Sequence, residues 1–301
     1  MIRFRQLTKR FGAQLAVESL TLEVGAGEVV ALLGPNGSGK TTSLKAAAGL
    51  IRPSSGDVLI GEPPRSSSDP LARRACSYLP QKVAFPDALS GREVVDFYRA
   101  IRSVPEERVD LVLRFASLNG ASERLVGTYS GGMVQRLGLA VAMLPDAPAL
   151  LLDEPTAALD PDGLCAFYGL VERRRSSGQS VLFTSHQLGD VERLADRFAV
   201  LVDGRLVGAF TQRELAERLA DRGVMRVRLD ACSADLLERV RRVSPTAQWV
   251  PAMSELVAPG PAAGRPAVLD AIRSTGAEIK GLTAEEGRLD AFYRELVEEH
   301  R

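Results

Sequence analysis

One stretch limits what this chain can fold into more than any other: Gly34-Pro35-Asn36-Gly37-Ser38-Gly39-Lys40-Thr41, in which four residues separate Gly34 from Gly39 and a Lys-Thr pair follows. The apolar run Val29-Val30-Ala31-Leu32-Leu33 before it reads as a buried strand, and Thr42-Ser43-Leu44-Lys45-Ala46-Ala47-Ala48 after it reads as a helix. A strand, a glycine loop and a helix in that order make a phosphate cradle. The glycines let the backbone turn its N–H groups onto an anion, and the helix start adds unpaired donors and the positive end of its dipole. Lys40 places a charge on β/γ-phosphates and Thr41 offers a hydroxyl to Mg²⁺, while Pro35, Asn36, Ser38 and Thr42 complete the loop and the first turn. The implied cofactors are ATP and Mg²⁺. A loop that only reversed the chain would need neither the spacing, the Lys-Thr pair nor the flanks.

The rest of the chain supplies groups suited to such a site. Residues 1–28 read as short strands with turns, among them Leu20-Thr21-Leu22-Glu23-Val24, whose alternation suits an antiparallel strand with one wet face. Phe11, in the turn Lys9-Arg10-Phe11-Gly12, has a ring that could stack on adenine or fill a small core. Val58-Leu59-Ile60 reads as a strand, 61–70 as a polar loop, and Cys76-Ser77-Tyr78-Leu79 runs into Pro80-Gln81. From Ser90 to Asn119 the spacing is helical with a break at Pro105, an insert of about 86–145 within the nucleotide core. Ser130-Gly131-Gly132 opens another helix, 133–144, with Ser130 as its N-cap and the glycines leaving donors bare.

Ala149-Leu150-Leu151-Leu152 is wholly apolar, as a doubly covered parallel strand would be, and it ends in Asp153-Glu154. An acid in that position is placed to hold Mg²⁺. Val181-Leu182-Phe183-Thr184 ends in Ser185-His186 after a helix over 162–176. Parallel sheets bind ligands beyond the carboxyl ends of their strands, so Lys40, Asp153, Glu154 and His186 are expected to converge on one crevice.

Six words in order resemble the ATP-binding subunit of ABC transporters over roughly residues 1–212. Gly34–Thr41 is similar to the Walker A loop, Gln81 to the Q-loop, Ser130-Gly131-Gly132-Met133-Val134-Gln135 to the signature, and Leu150-Leu151-Leu152-Asp153-Glu154 to Walker B. Ala158-Leu159-Asp160 resembles the D-loop and His186 the switch histidine, and Phe11 falls where the family stacks an aromatic on adenine. The departures are Tyr129 for the usual signature Leu and Met133 for its last Gln, neither of which removes a backbone donor. The resemblance implies an α/β fold: an ABC-type P-loop ATPase with an antiparallel β-subdomain and a helical subdomain. It implies a homodimer that packs head to tail on two ATP, with Ser130, Gly131 and Gly132 of one copy serving the ATP on Lys40 of the other. Glu154 is then the general base, His186 holds the γ-phosphate, Gln81 senses Mg²⁺ and water, and Thr41 and Asp153 hold the metal. The segment 82–90 and the helical insert are expected to meet an integral membrane permease. Within the family the wording is similar to single-cassette bacterial ATPases of the drug-exporter type. It is nearest to the NosDFY branch, which supports copper-site assembly in nitrous-oxide reductase. That likeness rests on Tyr78-Leu79-Pro80, Leu89-Ser90-Gly91-Arg92-Glu93, Tyr129-Ser130 and Leu289-Asp290-Ala291-Phe292-Tyr293; it brings a periplasmic accessory protein as a further expected partner.

Composition narrows the alternatives. With 38 Lys and Arg against 38 Asp and Glu, no overall basic field draws the chain to nucleic acid or an anionic membrane. Cys76, Cys165 and Cys232 are scattered and the only histidines are His186 and His300, so no metal-binding cluster for cargo is expected. No apolar run approaches the roughly 18–20 residues that span a bilayer. The expectation is a cytoplasmic chain, peripheral on the inner face of the membrane through its permease. A GTPase would carry an Asn-Lys-x-Asp motif, absent here. Ribosomal relatives usually hold two cassettes and DNA-repair relatives a long coiled coil between loop and signature, for which there is no room.

The 301 residues allow about two domains. Residues 198–208 read as a hairpin on Asp203-Gly204, and the nucleotide domain is expected to span 1–220. For 221–301 the order is strand (225–229), helix (234–243), strands (247–250 and 255–258), helix (266–274) and strand (277–279). That is a small α+β, ferredoxin-like C-terminal domain, regulatory or partner-binding. A final helix sets Leu289, Phe292, Tyr293 and Leu296 on one side, suited to packing on its own domain.

Overall fold

The computed structural model describes residues 1–118, 120–157 and 159–300; Asn119, the last residue of the expected insert helices, and Ala158 of the Ala158-Leu159-Asp160 word lie outside them. Alternating burial makes β1 (Ile2–Phe11) and β2 (Gln14–Val24) an antiparallel hairpin, from Ile2 opposite Val24 to Phe11 opposite Gln14. Phe11 therefore ends a strand, and the turn lies after it at Gly12 and Ala13. The five residues of β3 (Val29–Leu33) are all buried and run through the glycine loop into α1 (Lys40–Ala47). The chain returns as β4 (Ser55–Ile60) and β5 (Arg65–Ser66), giving a four-stranded sheet in the order β2-β1-β4-β5. The stretch expected as a loop gives way to the short helix α2 (Pro70–Arg74). Asp69 caps it by accepting from Leu71 N, and proline stands in the first turn, where its missing N–H is harmless.

After β6 (Cys76–Leu79) come the insert helices α3 (Gly91–Arg102), α4 (Glu107–Phe115) and α5 (Gly131–Met143). Ser90 and Glu93 form a capping box at the start of α3. Next follow β7 (Ala149–Asp153), α6 (Pro161–Ser176), β8 (Ser180–Thr184), α7 (Leu188–Leu194), β9 (Arg197–Val202) and β10 (Arg205–Thr211). They build a six-stranded sheet ordered β10-β9-β3-β8-β7-β6, in which β9, β3, β8, β7 and β6 run parallel. The continuous apolar runs of β3, β7 and β8 are what burial on both faces demands. Phe4, Leu20, Leu32, Leu44, Ile60 and Leu182 belong to one core joining the hairpin sheet, α1 and the parallel sheet. Register places Thr184 beside Leu32 on one side and Asp153 on the other, so the strand ends feeding the site lie at one edge.

A second compact unit, Phe210–Glu299, follows Met1–Ala209 in sequence. The break falls before α8 (Gln212–Ala220) rather than after Ala220, because α8 buries Leu215 and accepts at Leu219 O a hydrogen bond from Gly287 N (3.0 Å). The unit continues as β11 (Val224–Leu229), α9 (Ala234–Arg241), β12 (Gln248–Val250), β13 (Glu255–Pro259), α10 (Arg265–Arg273), β14 (Ile279–Glu285) and α11 (Leu289–Glu298). Its antiparallel sheet is ordered β12-β13-β11-β14 around Val227, Leu229, Val240, Leu256 and Ile272. β14 starts where the expected strand 277–279 ends. It is a largely exposed edge with Leu282 51% open, so no inward alternation marks it in the sequence. On α11, Leu289, Phe292 and Val297 are the buried positions, and the Phe292 ring meets Phe210 edge-on at 5.4 Å within the same unit.

Candidate active site

The glycine loop is shaped by how closely its neighbours approach. Gly34 has φ +152°, and a Cβ there would lie 2.2 Å from Leu201 O of β9; Gly39 has φ +99°, and a Cβ would lie 2.4 Å from Ala16 O of β2. Only glycine fits either place. The loop curls around the Lys40 ammonium, which donates to Gly34 O (2.7 Å) and Pro35 O (3.0 Å). Lys40 is 6% exposed, and burial lowers its pKa against the opposing pull of the Glu154 and Asp153 charges. Asn36, Gly37, Gly39, Lys40, Thr41 and Thr42 line a cleft of about 420 Å³, within the range that holds a nucleotide-sized ligand. Ser38, within the loop, is buried. Phe11, Gln14 and Ala16 form the β-hairpin's share of the wall, with the Lys9 ammonium 4.9 Å from the Phe11 ring centroid.

At the strand ends the acids take different surroundings. Asp153 is 1% exposed; its Oδ1 accepts from Thr184 Oγ1 (2.8 Å) and Thr41 Oγ1 (3.2 Å), and its Oδ2 is buried with no hydrogen-bond partner. Burial raises this carboxyl's pKa, against the two hydroxyls that lower it. An unpaired carboxylate oxygen beside a threonine hydroxyl is an oxygen-only donor set of the kind a hard cation takes together with phosphate. Among the described residues no group of three or more His, Cys, Asp or Glu assembles that could hold a metal ion. Mg²⁺ carried in with phosphates fits these residues; a softer ion does not.

Glu154 follows in a left-handed backbone, φ +49°, its N–H donating to Thr184 Oγ1 (2.8 Å). Its Oε2 accepts from Gln81 Nε2 (3.0 Å) and lies 3.4 Å from His186 Nδ1. Gln81, Glu154 and His186 thus meet on one carboxylate oxygen, and Gln81 and Glu154 also line the cleft. The arrangement can orient a water and accept its proton beside a bound phosphate.

Ser130, Gly131, Gly132 and Asp160 are not among the residues lining this cleft. Ser130 caps α5, its Oγ accepting from Met133 N (3.3 Å), and a Cβ at Gly131 would meet nothing within 4 Å, so the first turn is open at Gly131. Asp160 caps α6 by accepting from Gly163 N (2.9 Å), with its other oxygen 3.9 Å from Arg136 of α5. Tyr129 holds the approach to α5: its hydroxyl donates to Ala121 O (2.8 Å) and would stand 2.3 Å from a Cβ on Gly91. The Gly91 and Tyr129 words of the sequence are one packing contact.

Sequence reasoning missed Gln14 and Ala16 in the wall, and it missed Thr184, the hydroxyl that fixes Asp153 and Glu154 together. It also missed Asp190. This carboxylate, 3% exposed, accepts from Thr156 Oγ1 (2.6 Å), Tyr168 Oη (2.7 Å) and Ser185 Oγ (3.4 Å). It ties the segment after Glu154 to the residue before His186. Its only sequence signal was an acid on a short helix after the histidine.

A family model described as ABC transporter matches residues 17–157. The chain is 34% identical over 288 residues, 94% of its length and 93% of the relative's, to the uncharacterized ABC transporter ATP-binding protein YxlF of Bacillus subtilis (strain 168). It is 38% identical over 221 residues, 72% of each chain, to the Nod factor export ATP-binding protein I of Burkholderia lata. Among solved structures, the dimeric post-hydrolysis state of the ATP-binding cassette MJ0796 bound to ADP and Pi is similar with a TM-score of 0.65 at 25% identity, over 71% of this chain and 99% of that one.

Proposed function

The chain belongs to the ABC transporter family as an ATPase subunit of a transporter, and on that premise we propose how its residues hydrolyse ATP and what the hydrolysis serves. The observation that carries the mechanism is the meeting of Gln81, Glu154 and His186 on Glu154 Oε2. The loop N–H groups and Lys40 hold the phosphates, and the Phe11 ring stacks on adenine. Thr41, Asp153 and Gln81 would hold Mg²⁺, which would supply charge neutralisation to the phosphates. Glu154 takes a proton from the attacking water as its oxygen bonds to the γ-phosphorus and the bond to the departing ADP oxygen breaks. His186 supports the γ-phosphate.

Two copies pack head to tail, so that Ser130, Gly131 and Gly132 of one complete the site of the other, with Asp160 at the seam. The dimeric MJ0796 cassette supports this reading. The permease docks on the insert, where Phe97 (56% exposed) and Ile101 (61%) stand open on α3 beside Tyr98 and Phe85. Among the described residues no helix is long and apolar enough to cross a membrane, in keeping with a subunit held at the inner face by that permease. Closure on ATP and reopening after hydrolysis then switch the permease between two states. The second unit is regulatory or partner-directed, since the cleft residues and His186 all lie in Met1–Ala209. A fragment ending at Ala209 is expected to remain soluble and bind ATP with the affinity of the whole chain by equilibrium dialysis; an insoluble fragment would make the tail part of the nucleotide fold.

For cargo, we infer export in support of periplasmic metal-site assembly, with copper-site formation in nitrous-oxide reductase as the specific role and a periplasmic protein as further partner. The resemblance of the runs around Ser90 and Leu289 is what supports it. Export of a drug or lipid-like cargo is the second reading, favoured by the likeness to a Nod factor exporter. Deleting the gene in cells that hold both proteins is expected to leave nitrous-oxide reductase short of copper by metal analysis and electron paramagnetic resonance. Fully loaded sites would leave the export reading alone.

A further inference from the structure

A second cavity, about 610 Å³, shares no residue with the nucleotide cleft. Its apolar lining comes from Leu111 and Phe115 of α4, Met143 at the end of α5 and Leu170 of α6. Its basic groups fall into two kinds. Arg108 and Arg174 are spent on structure: both donate to Met143 O (3.1 and 2.8 Å) and both pair with Asp146 (3.1 and 2.9 Å), closing the end of α5. Arg114 and Arg173 are not. Neither side chain makes a hydrogen bond or salt bridge among the described residues, and the Arg173 guanidinium lies 4.6 Å from the Phe115 ring centroid. A stacked guanidinium keeps its edge donors free for a bidentate anion.

Arg114, whose charge also acts on Asp110 one turn back, and Arg173, stacked on Phe115, leave guanidinium donors without a hydrogen-bond partner at an apolar cavity of ligand size, which suits a ligand with one anionic head and a compact apolar body. We propose that this cavity binds a small amphipathic anion, an alkyl or aryl phosphate or carboxylate, and that its occupancy restrains ATP hydrolysis. The placement explains the second half. α4 belongs to the insert and α6 to the sheet core. α5 and α6 begin at Ser130 and Asp160 and present Met143, Leu170 and Arg173 to the cavity, so a ligand gripped by Arg114 and Arg173 joins both bodies and both helices.

The test uses the full chain with octyl phosphate below its micelle concentration, vesicles containing an anionic phospholipid, and inorganic phosphate. Isothermal titration is expected to show one saturable octyl phosphate site, at least about tenfold weaker in Arg114→Glu/Arg173→Glu. Both positions are exposed, and unchanged ATP binding in the variant verifies its fold. Saturating ligand should lower kcat in the wild type and leave the variant unchanged. Binding to octyl phosphate alone supports a soluble ligand, and binding to vesicles as well supports a lipid. No saturable binding, equal affinity in the variant, or equal affinity for inorganic phosphate overturns the site; binding with kcat unaltered overturns the restraint.

Discussion

Glu154→Gln lowers ATP turnover by about 10²–10⁴-fold, the scale of a lost general base, and leaves ATP affinity within about twofold. The amide keeps the shape of the side chain and accepts from Gln81 where the carboxylate did at 3.0 Å, so the site stays assembled. What goes is the capacity to take a proton from water. The phosphate contacts lie on Lys40 and the loop, which the substitution does not touch. ATP then persists on the protein, and with the head-to-tail arrangement the variant should elute as a dimer in ATP and a monomer without it. Turnover at the wild-type rate, measured with the permease present, would remove Glu154 from the role of base.

Lys40→Ala and Ser130→Arg should both abolish hydrolysis, for different reasons that binding separates. Lys40 is buried among the Gly34 and Pro35 carbonyls, and among the described residues no other basic one lines the cleft. Its removal takes away a charge-assisted contact and should weaken ATP binding by the monomer at least about tenfold. Ser130 lines no part of its own chain's cleft. An arginine there should leave monomer binding intact and block the ATP-dependent dimer by crowding the γ-phosphate of the other copy. Equal loss of monomer affinity in the two variants would contradict a site shared between copies.

Local chemistry was legible, and pairing was not. The loop spacing, the apolar runs of β3, β7 and β8 and the Ser90 cap each depend on neighbours in sequence, so a linear reading reaches them. That Asp153 and Glu154 share the Thr184 hydroxyl depends on β7 and β8 running in register. The Asp190 contacts gather Thr156, Tyr168 and Ser185 from separate segments, which no periodicity announces. The last strand was read at 277–279, short of most of β14, because an exposed edge strand has no face to bury, and the boundary was set at 220 because the Gly287 N–H that reaches Leu219 O of α8 lies far along the chain. Phe11 was placed in a turn because Gly12 follows it, although the register holds it opposite Gln14.

The separate cores of the two units bear on what heating this protein can measure. The cluster around Phe4, Leu32 and Leu182 and the cluster around Val227, Leu256 and Ile272 share no side chain, so each has the makings of its own cooperative melting step. Nucleotide is linked only to the step that destroys its cleft. Ligand at about a hundred times its dissociation constant adds about 2.7 kcal/mol to that step and nothing directly to the other. Two calorimetric peaks are therefore expected, with nucleotide moving only the one that belongs to the cleft; a single peak that moves as a whole would show that the units melt together.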